Sequence, residues 1–219
     1  GGRVHLVPLT IHAMQWRTFW KSNTRLWRDP LGGVSLYVTT LYWGVGAVMQ
    51  FAVLLWAQQT LGLSLKYGAY LQALVALGVI LGAYLAGRRF KLHAARRALP
   101  WGLLLAVLLP VVVLTSNLWL AVALLLGVGV SGGMLLVPMN ALLQHRGMQV
   151  LSSGRSIAVQ GFNENLSVLL MLASYSALLA LNVSLTFIMV LLATVLIAGM
   201  APLCPLLLRQ FRQPISMAR

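Results

Sequence analysis

Acid is nearly absent from this chain. Among its 219 residues only 2 are Asp or Glu (Asp29 and Glu164), against 16 Lys and Arg, a formal net charge of +14. Charged residues of both signs make up 8% of the chain, where a soluble domain carries about 25%. So few charges could not cover a surface in water, which excludes a soluble globular enzyme and a disordered tail. So few carboxylates also leave little for acid–base chemistry. Cysteine occurs once, at Cys204, so the chain has no intrachain disulfide and no cysteine metal cluster. In its apolar run Cys204 reads as a small packing residue. The histidines His5, His12, His93 and His145 show no HExxH or other metal spacing, so neither metal nor cofactor is expected. What is abundant is apolar: 60% of the residues are hydrophobic. The chain reads as an all-α membrane protein whose first partner is the lipid bilayer. The basic excess is the topology signal of such a protein rather than a nucleic-acid footprint, and no nucleic-acid partner is expected.

A spanning helix needs about 20 mostly apolar residues. The charge-free stretches, split at Thr115-Ser116-Asn117 and near Asn182, give six spans at 34–57, 67–87, 98–114, 118–143, 156–181 and 183–208. They form one transmembrane bundle over 34–208 with very short loops. The basic residues test this count. Arg3, Arg17, Lys21, Arg25 and Arg28 precede the first span. Arg88, Arg89, Lys91, Arg96 and Arg97 follow the second, Arg146 and Arg155 follow the fourth, and Arg209, Arg212 and Arg219 follow the last. In a six-span arrangement all of these fall on one side and only Lys66 on the other. The positive-inside rule then makes both ends, 1–33 and 209–219, cytoplasmic. Segment 1–33 is basic and aromatic, with Trp16, Phe19, Trp20 and Trp27. It reads either as a helix lying on the membrane surface or as a linker into the first span. The chain opens on Gly1 rather than Met, which reads as a piece of a longer protein, and it shows no signal-peptide pattern.

Glu164 is the strongest chemical signal. It lies eight residues past Ser156, about 12 Å into its helix at 1.5 Å per residue. There a carboxylate costs about 3 kcal/mol or more. Gln160, Asn163, Glu164 and Ser167, then Ser174, follow helical spacings of three, four and seven, giving a polar stripe on an otherwise apolar helix. Such a stripe faces protein or a water-filled cavity. It is either a substrate or ion pathway or a hydrogen-bond network that fixes packing. Thr39 or Thr40, Trp43, Gly46 and Gln50 make a weaker stripe on the first span. Gln50 needs a hydrogen-bond partner there, and pairing with the Glu164 stripe is one expectation, interhelical glue the other.

Gly78 and Gly82 form a GxxxG on the second span, and Gly129 and Gly133 another on the fourth, beside Gly127, Ser131 and Gly132. These let backbones approach closely, either for packing alone or for helices that rock during transport. Pro110, Pro138, Pro202 and Pro205 are sites for kinks or helix ends. Gly129-Val130-Ser131-Gly132-Gly133 also matches the nucleophile-elbow string G-x-S-x-G. A serine in the fourth of six spans is likewise similar to the intramembrane rhomboid proteases. Those proteases pair it with a histidine on the sixth span, and here every histidine falls outside the spans. With no base to activate Ser131, no catalytic residue and no enzyme are expected.

Several strings resemble the bacterial lysophospholipid transporter family of the major facilitator superfamily, in its C-terminal half. They are Leu26-Trp27-Arg28, Leu41-Tyr42-Trp43-Gly44, Val53-Leu54-Leu55-Trp56, Val137-Pro138-Met139-Asn140-Ala141-Leu142-Leu143-Gln144-His145-Arg146-Gly147 and Ser156-Ile157-Ala158-Val159-Gln160-Gly161-Phe162-Asn163-Glu164-Asn165. Gly87-Arg88-Arg89 is similar to the basic loop motif of facilitators without its usual acid. The resemblance implies the second six-helix half of a twelve-helix protein whose N-terminal half lies outside this chain, both enclosing a central cavity with alternating access. It also implies lysophospholipids as substrate, carried from the outer to the inner face of the bacterial inner membrane and re-acylated there by a cytoplasmic acyltransferase. Glu164 and Asn165 match the family's polar fifth-span motif. Gln50 stands where the family has a basic residue, a departure that argues against a charge-paired gate at that position. Substrate-binding or coupling residues are therefore expected among Glu164, Asn165, Asn163, Gln160, Gln50 and Trp43. A facilitator for another small solute, such as a drug or sugar, and a membrane scaffold that transports nothing are the alternatives.

Overall fold

The structure, a computed structural model, describes residues 9–203. Arg3, His5, Cys204, Pro205, the end of the last expected span and the tail residues Arg209, Arg212 and Arg219 lie outside the described residues. The described residues form α1 (Leu9–Arg28), α2 (Gly32–Gln59), α3 (Leu65–Arg89), α4 (Leu99–Leu114), α5 (Leu118–Val150), α6 (Ser153–Ala180) and α7 (Leu185–Met200). A short 3-10 helix, Leu92–Ala98, leads into α4, and another, Ala201–Leu203, follows α7. The protein is an all-α membrane protein. Among the described residues five stretches are long and apolar enough to cross a bilayer: α2, α3, Ala94–Leu114, α5 and Leu185–Leu203.

The fifth expected span, 156–181, is helix α6. With 28 residues it is as long as α2, about 42 Å at 1.5 Å per residue. Its run of Asn163, Glu164 and Asn165 lowers its hydropathy below that of the other five. The fourth expected span is longer than the apolar pattern indicated. α5 has 33 residues, about 50 Å, and continues beyond Leu143 because Gln144 through Gln149 hold no proline and the one glycine among them, Gly147, sits close against Ser156 of α6. His145 and Arg146, expected in a loop, are therefore helical, and only Leu151 and Ser152 separate α5 from α6. Pro110 and Pro138 sit inside α4 and α5. Asn117 caps α5, its side chain accepting from the backbone N–H of Trp119 and Leu120. Asn182 turns the chain between α6 and α7 with φ 56°, a left-handed conformation that Asn tolerates.

Hydrophobicity drives helices out of water but does not join them inside lipid, where close packing takes over. The four glycines of the two GxxxG patterns meet each other. A Cβ on Gly78 or Gly82 would strike backbone of α5 at Leu126 and Val130, and one on Gly129 or Gly133 would strike backbone of α3 at Val75 and Val79. α2 meets α6 through a similar contact, because a Cβ on Gly44 would strike Ser167 and Met171. α4 packs against α5 and α7, around buried Leu99, Leu109, Leu125, Leu135, Met189 and Leu196.

Candidate functional site

The polar stripe of α6 divides into three parts. Its centre is Glu164, half-buried. Gln160 donates through Nε2 to Glu164 Oε1 at 2.9 Å and to Asn140 Oδ1 of α5 at 3.1 Å. One amide thus ties the carboxylate to the neighbouring helix. No Lys or Arg lies within ion-pair distance of Glu164 among the described residues, where the one salt bridge joins Arg146 and Asp29. The carboxylate keeps acceptor capacity that this bundle does not fill.

Asn163 turns the other way and is buried. It donates to Val159 O and to Asn23 Oδ1 and accepts from Trp27 Nε1 at 3.1 Å. It fastens α1 to α6, assisted by Phe19 and Trp20 edge-on against Phe162. Of the two roles weighed for the stripe, its contacts are those of the packing network. Asn165 and Ser174 are exposed, each donating to a carbonyl one turn back in α6, Gly161 and Leu170. They do not join Glu164.

Trp43 and Gln50 also stand apart from Glu164. They line a cleft of about 900 Å³ between α2, α3 and α5, floored by Leu105 and Leu109 of α4. The cleft is almost wholly apolar, with Gln50 and Gln72 as its amides. The Gln72 side chain of α3 donates to the Gln50 backbone carbonyl, while the Gln50 side chain itself is exposed at the cleft rather than joined to the Glu164 stripe. One α6 residue, Val168, reaches the cleft. It is one helical turn beyond Glu164, about 6 Å along the axis. An apolar chamber and a carboxylate therefore adjoin on one helix.

Sequence reasoning passed over Asp29, the second acid. Arg146 of α5 grips it with both arms, Nε to Oδ1 at 3.1 Å and Nη2 to Oδ2 at 2.6 Å. Asp29 Oδ1 also accepts from the backbone N–H of Leu31 and Gly32, capping α2. Asp29 shows 9% exposure and Arg146 29%. The local signal was an Asp-Pro pair just ahead of a glycine and apolar run: such a pair marks a turn, and an Asp side chain there accepts from backbone N–H groups two or so residues on. The Arg146 hydrogen bonds hold the Asp29 carboxyl below its ordinary value of 3.8, with the two N–H groups adding and burial opposing. Its stabilisation is present above the ordinary carboxylate range and is lost as pH falls through the lowered value. Asp29→Asn is expected to cost about 1–3 kcal/mol, between the exposed and buried limits for an ion pair. Melting of the purified protein in detergent, compared between neutral pH and about pH 3, checks this. The wild type should lose its advantage over the variant on acidification, and an advantage that persists unchanged would refute the assignment.

Among the described residues no three His, Cys, Asp or Glu converge to hold a metal. Ser131 is buried in α5, and the outer glycines of its string are occupied against α3. No protein-family model and no solved structure matches the chain. Curated proteins do. A protein of Serratia proteamaculans named lysophospholipid transporter LplT is 39% identical over 177 residues, covering 78% of this chain and 44% of its own length. Proteins of the same name from Pectobacterium carotovorum and Shigella flexneri are 39% and 40% identical over 168 and 161 residues, each covered over 41% of its length. The chain thus spans less than half the length of the relatives it matches. These relatives carry a transporter's name, not an enzyme's. A bundle of apolar helices with a carboxylate beside a greasy cleft, and sequence identity near 40% across three quarters of its length, mark this chain as a member of the lysophospholipid transporter family.

Proposed function

We propose that this chain is the C-terminal six-helix half of a twelve-helix major facilitator protein that moves lysophospholipids from the outer to the inner leaflet of a bacterial inner membrane by alternating access. Both ends of the chain then face the cytoplasm, and a cytoplasmic acyltransferase restores the second acyl chain. The observation that carries the reading is the half-buried Glu164 with no cation of its own, one turn from the cleft. A lysophospholipid has a polar headgroup and a single tail. In a bilayer the tail gains little by leaving lipid for an equally apolar pocket, so recognition falls to the headgroup. The cleft, within the usual 300–1,000 Å³ of ligand sites, suits the tail. Glu164, with Gln160, suits an ethanolamine ammonium, a coupling cation or a basic residue of the other half.

A sugar carrier would line its chamber mainly with hydrogen-bonding groups, whereas this cleft is mostly apolar, with Gln50 and Gln72 as its amides. A scaffold would use Asn163 as it stands but leaves the unpaired Glu164 without a reason. The test is uptake of labelled lysophosphatidylethanolamine by cells carrying the full-length protein. Unlabelled lysophospholipids should compete and sugars or drugs should not, and the reverse order would overturn the proposal. A Cβ on Gly46 meets nothing within 4 Å and projects at the cleft. Gly46→Phe should therefore fill the chamber without disturbing a helix contact. Uptake is expected to fall at least about tenfold, a change of 1.4 kcal/mol, at unchanged membrane abundance, and full uptake would take the cleft out of the pathway.

A further inference from the structure

The face of the molecule formed by α1 and the end of α5 carries a second groove, of about 930 Å³, remote from the cleft. Four cations line it: Arg17, Lys21, Arg25 and Arg28. They recur at helical spacing and so share one side of α1. Trp16 and Trp20 flank them, 59% and 48% exposed. The chain has two acids to offer as counterions. Glu164 is on α6 and does not line the groove, and Asp29, which does line it, has both oxygens on Arg146. Four like charges one turn apart repel, so the groove is complementary to an anion from outside the chain.

The position of the groove says which anion. α1 leads into the membrane-spanning α2 within a few residues, and the groove includes Gln149 and Val150, where the long α5 ends. This is the level at which apolar spans give way to headgroups, where Trp rings settle with one side in acyl chains and one in water. The anion present at that level is the phosphodiester of the lipid itself. We infer that the groove between α1 and the end of α5 binds the headgroup of an anionic diacyl phospholipid, independently of what the bundle transports. The cations meet the phosphodiester and the two tryptophans lie along the first carbons of the tails.

Native mass spectrometry of the full-length protein in detergent, titrated with dioleoyl-phosphatidylglycerol, tests this. Each basic residue near a lipid surface contributes about fivefold, so Arg17→Gln with Lys21→Gln is expected to weaken retention on the order of thirtyfold. Dioleoyl-phosphatidylcholine should bind the wild type and this variant alike. Arg89→Gln with Lys91→Gln removes the same charge from the end of α3 and the connection after it and should leave retention within about twofold, because the groove is untouched. If the first pair of substitutions fails to fold, Arg25→Gln with Arg28→Gln makes the same test. Equal losses in the groove and connection variants would reduce the effect to diffuse charge and overturn the site. Displacement of the lipid by millimolar inorganic phosphate would make it a soluble-anion site, and preferential displacement by a polyglutamate peptide a protein-docking site. Either result overturns the inference.

Discussion

Glu164→Gln in the full-length protein is expected to abolish uptake of labelled lysophosphatidylethanolamine, with at least a tenfold loss, while its abundance in the membrane stays at the wild-type level. The substitution keeps shape and an acceptor, so the Gln160 hydrogen bond at 2.9 Å can persist. It deletes one thing, the negative charge. That charge is costly at its depth in α6, about 3 kcal/mol or more, and no cation within the described bundle offsets it. A partner outside the bundle therefore has to meet it at some stage of the cycle. If that encounter is worth even 1.4 kcal/mol, its loss is a factor of ten. Glu164→Leu separates charge from packing. A scaffold would tolerate it with no cost beyond stability, whereas a transport site would lose uptake with either substitution. Uptake unchanged in Glu164→Gln would take this residue out of the mechanism.

The helices were legible because lipid imposes a simple rule, and long charge-free runs have few other readings. The polar residues were harder, because periodicity gives the face of a helix but not what stands opposite. Asn163 and Glu164 are consecutive and read as one stripe, yet the 100° turn between them sends one to Asn23 and Trp27 and the other to the α5 side. Gln50 lies beside the cleft, and α3 rather than α6 reaches its backbone carbonyl, a fact of bundle order that hydropathy does not encode. Asp29 lies outside the spans, where a single charge carries no desolvation cost that would single it out. Its partner Arg146 is 117 positions away, beyond any local pattern. The small residues were the opposite case. Two GxxxG patterns on separate spans implied close approach, and the structure sets them against each other.

That contact carries the second large effect. Gly129→Leu is expected to prevent α3 from docking on α5. The atoms facing Gly129 are backbone, at Val75, Gly78 and Val79, and cannot swing aside as a side chain would. Adding carbon to a packed core costs about 1–3 kcal/mol where neighbours can adjust; here both helices must separate, and every other contact between them is lost too. The whole stability of a domain is about 5–15 kcal/mol, so purified Gly129→Leu should melt far below the wild type or fail to elute as a single species in size exclusion. Gly87→Leu is the matched control. A Cβ there meets nothing within 4 Å, and its melting should stay near the wild type, less the small propensity change on leaving glycine. Wild-type melting in Gly129→Leu would mean that the two helices hold together without this contact. The same geometry bears on the cleft, because Gly129 lines it together with Val75 and Val79. The seam that closes the bundle on this side is also a wall of the chamber. Gly129→Ala adds the same Cβ against that backbone, so it should lower melting too, by less than Leu, and uptake should fall along with it.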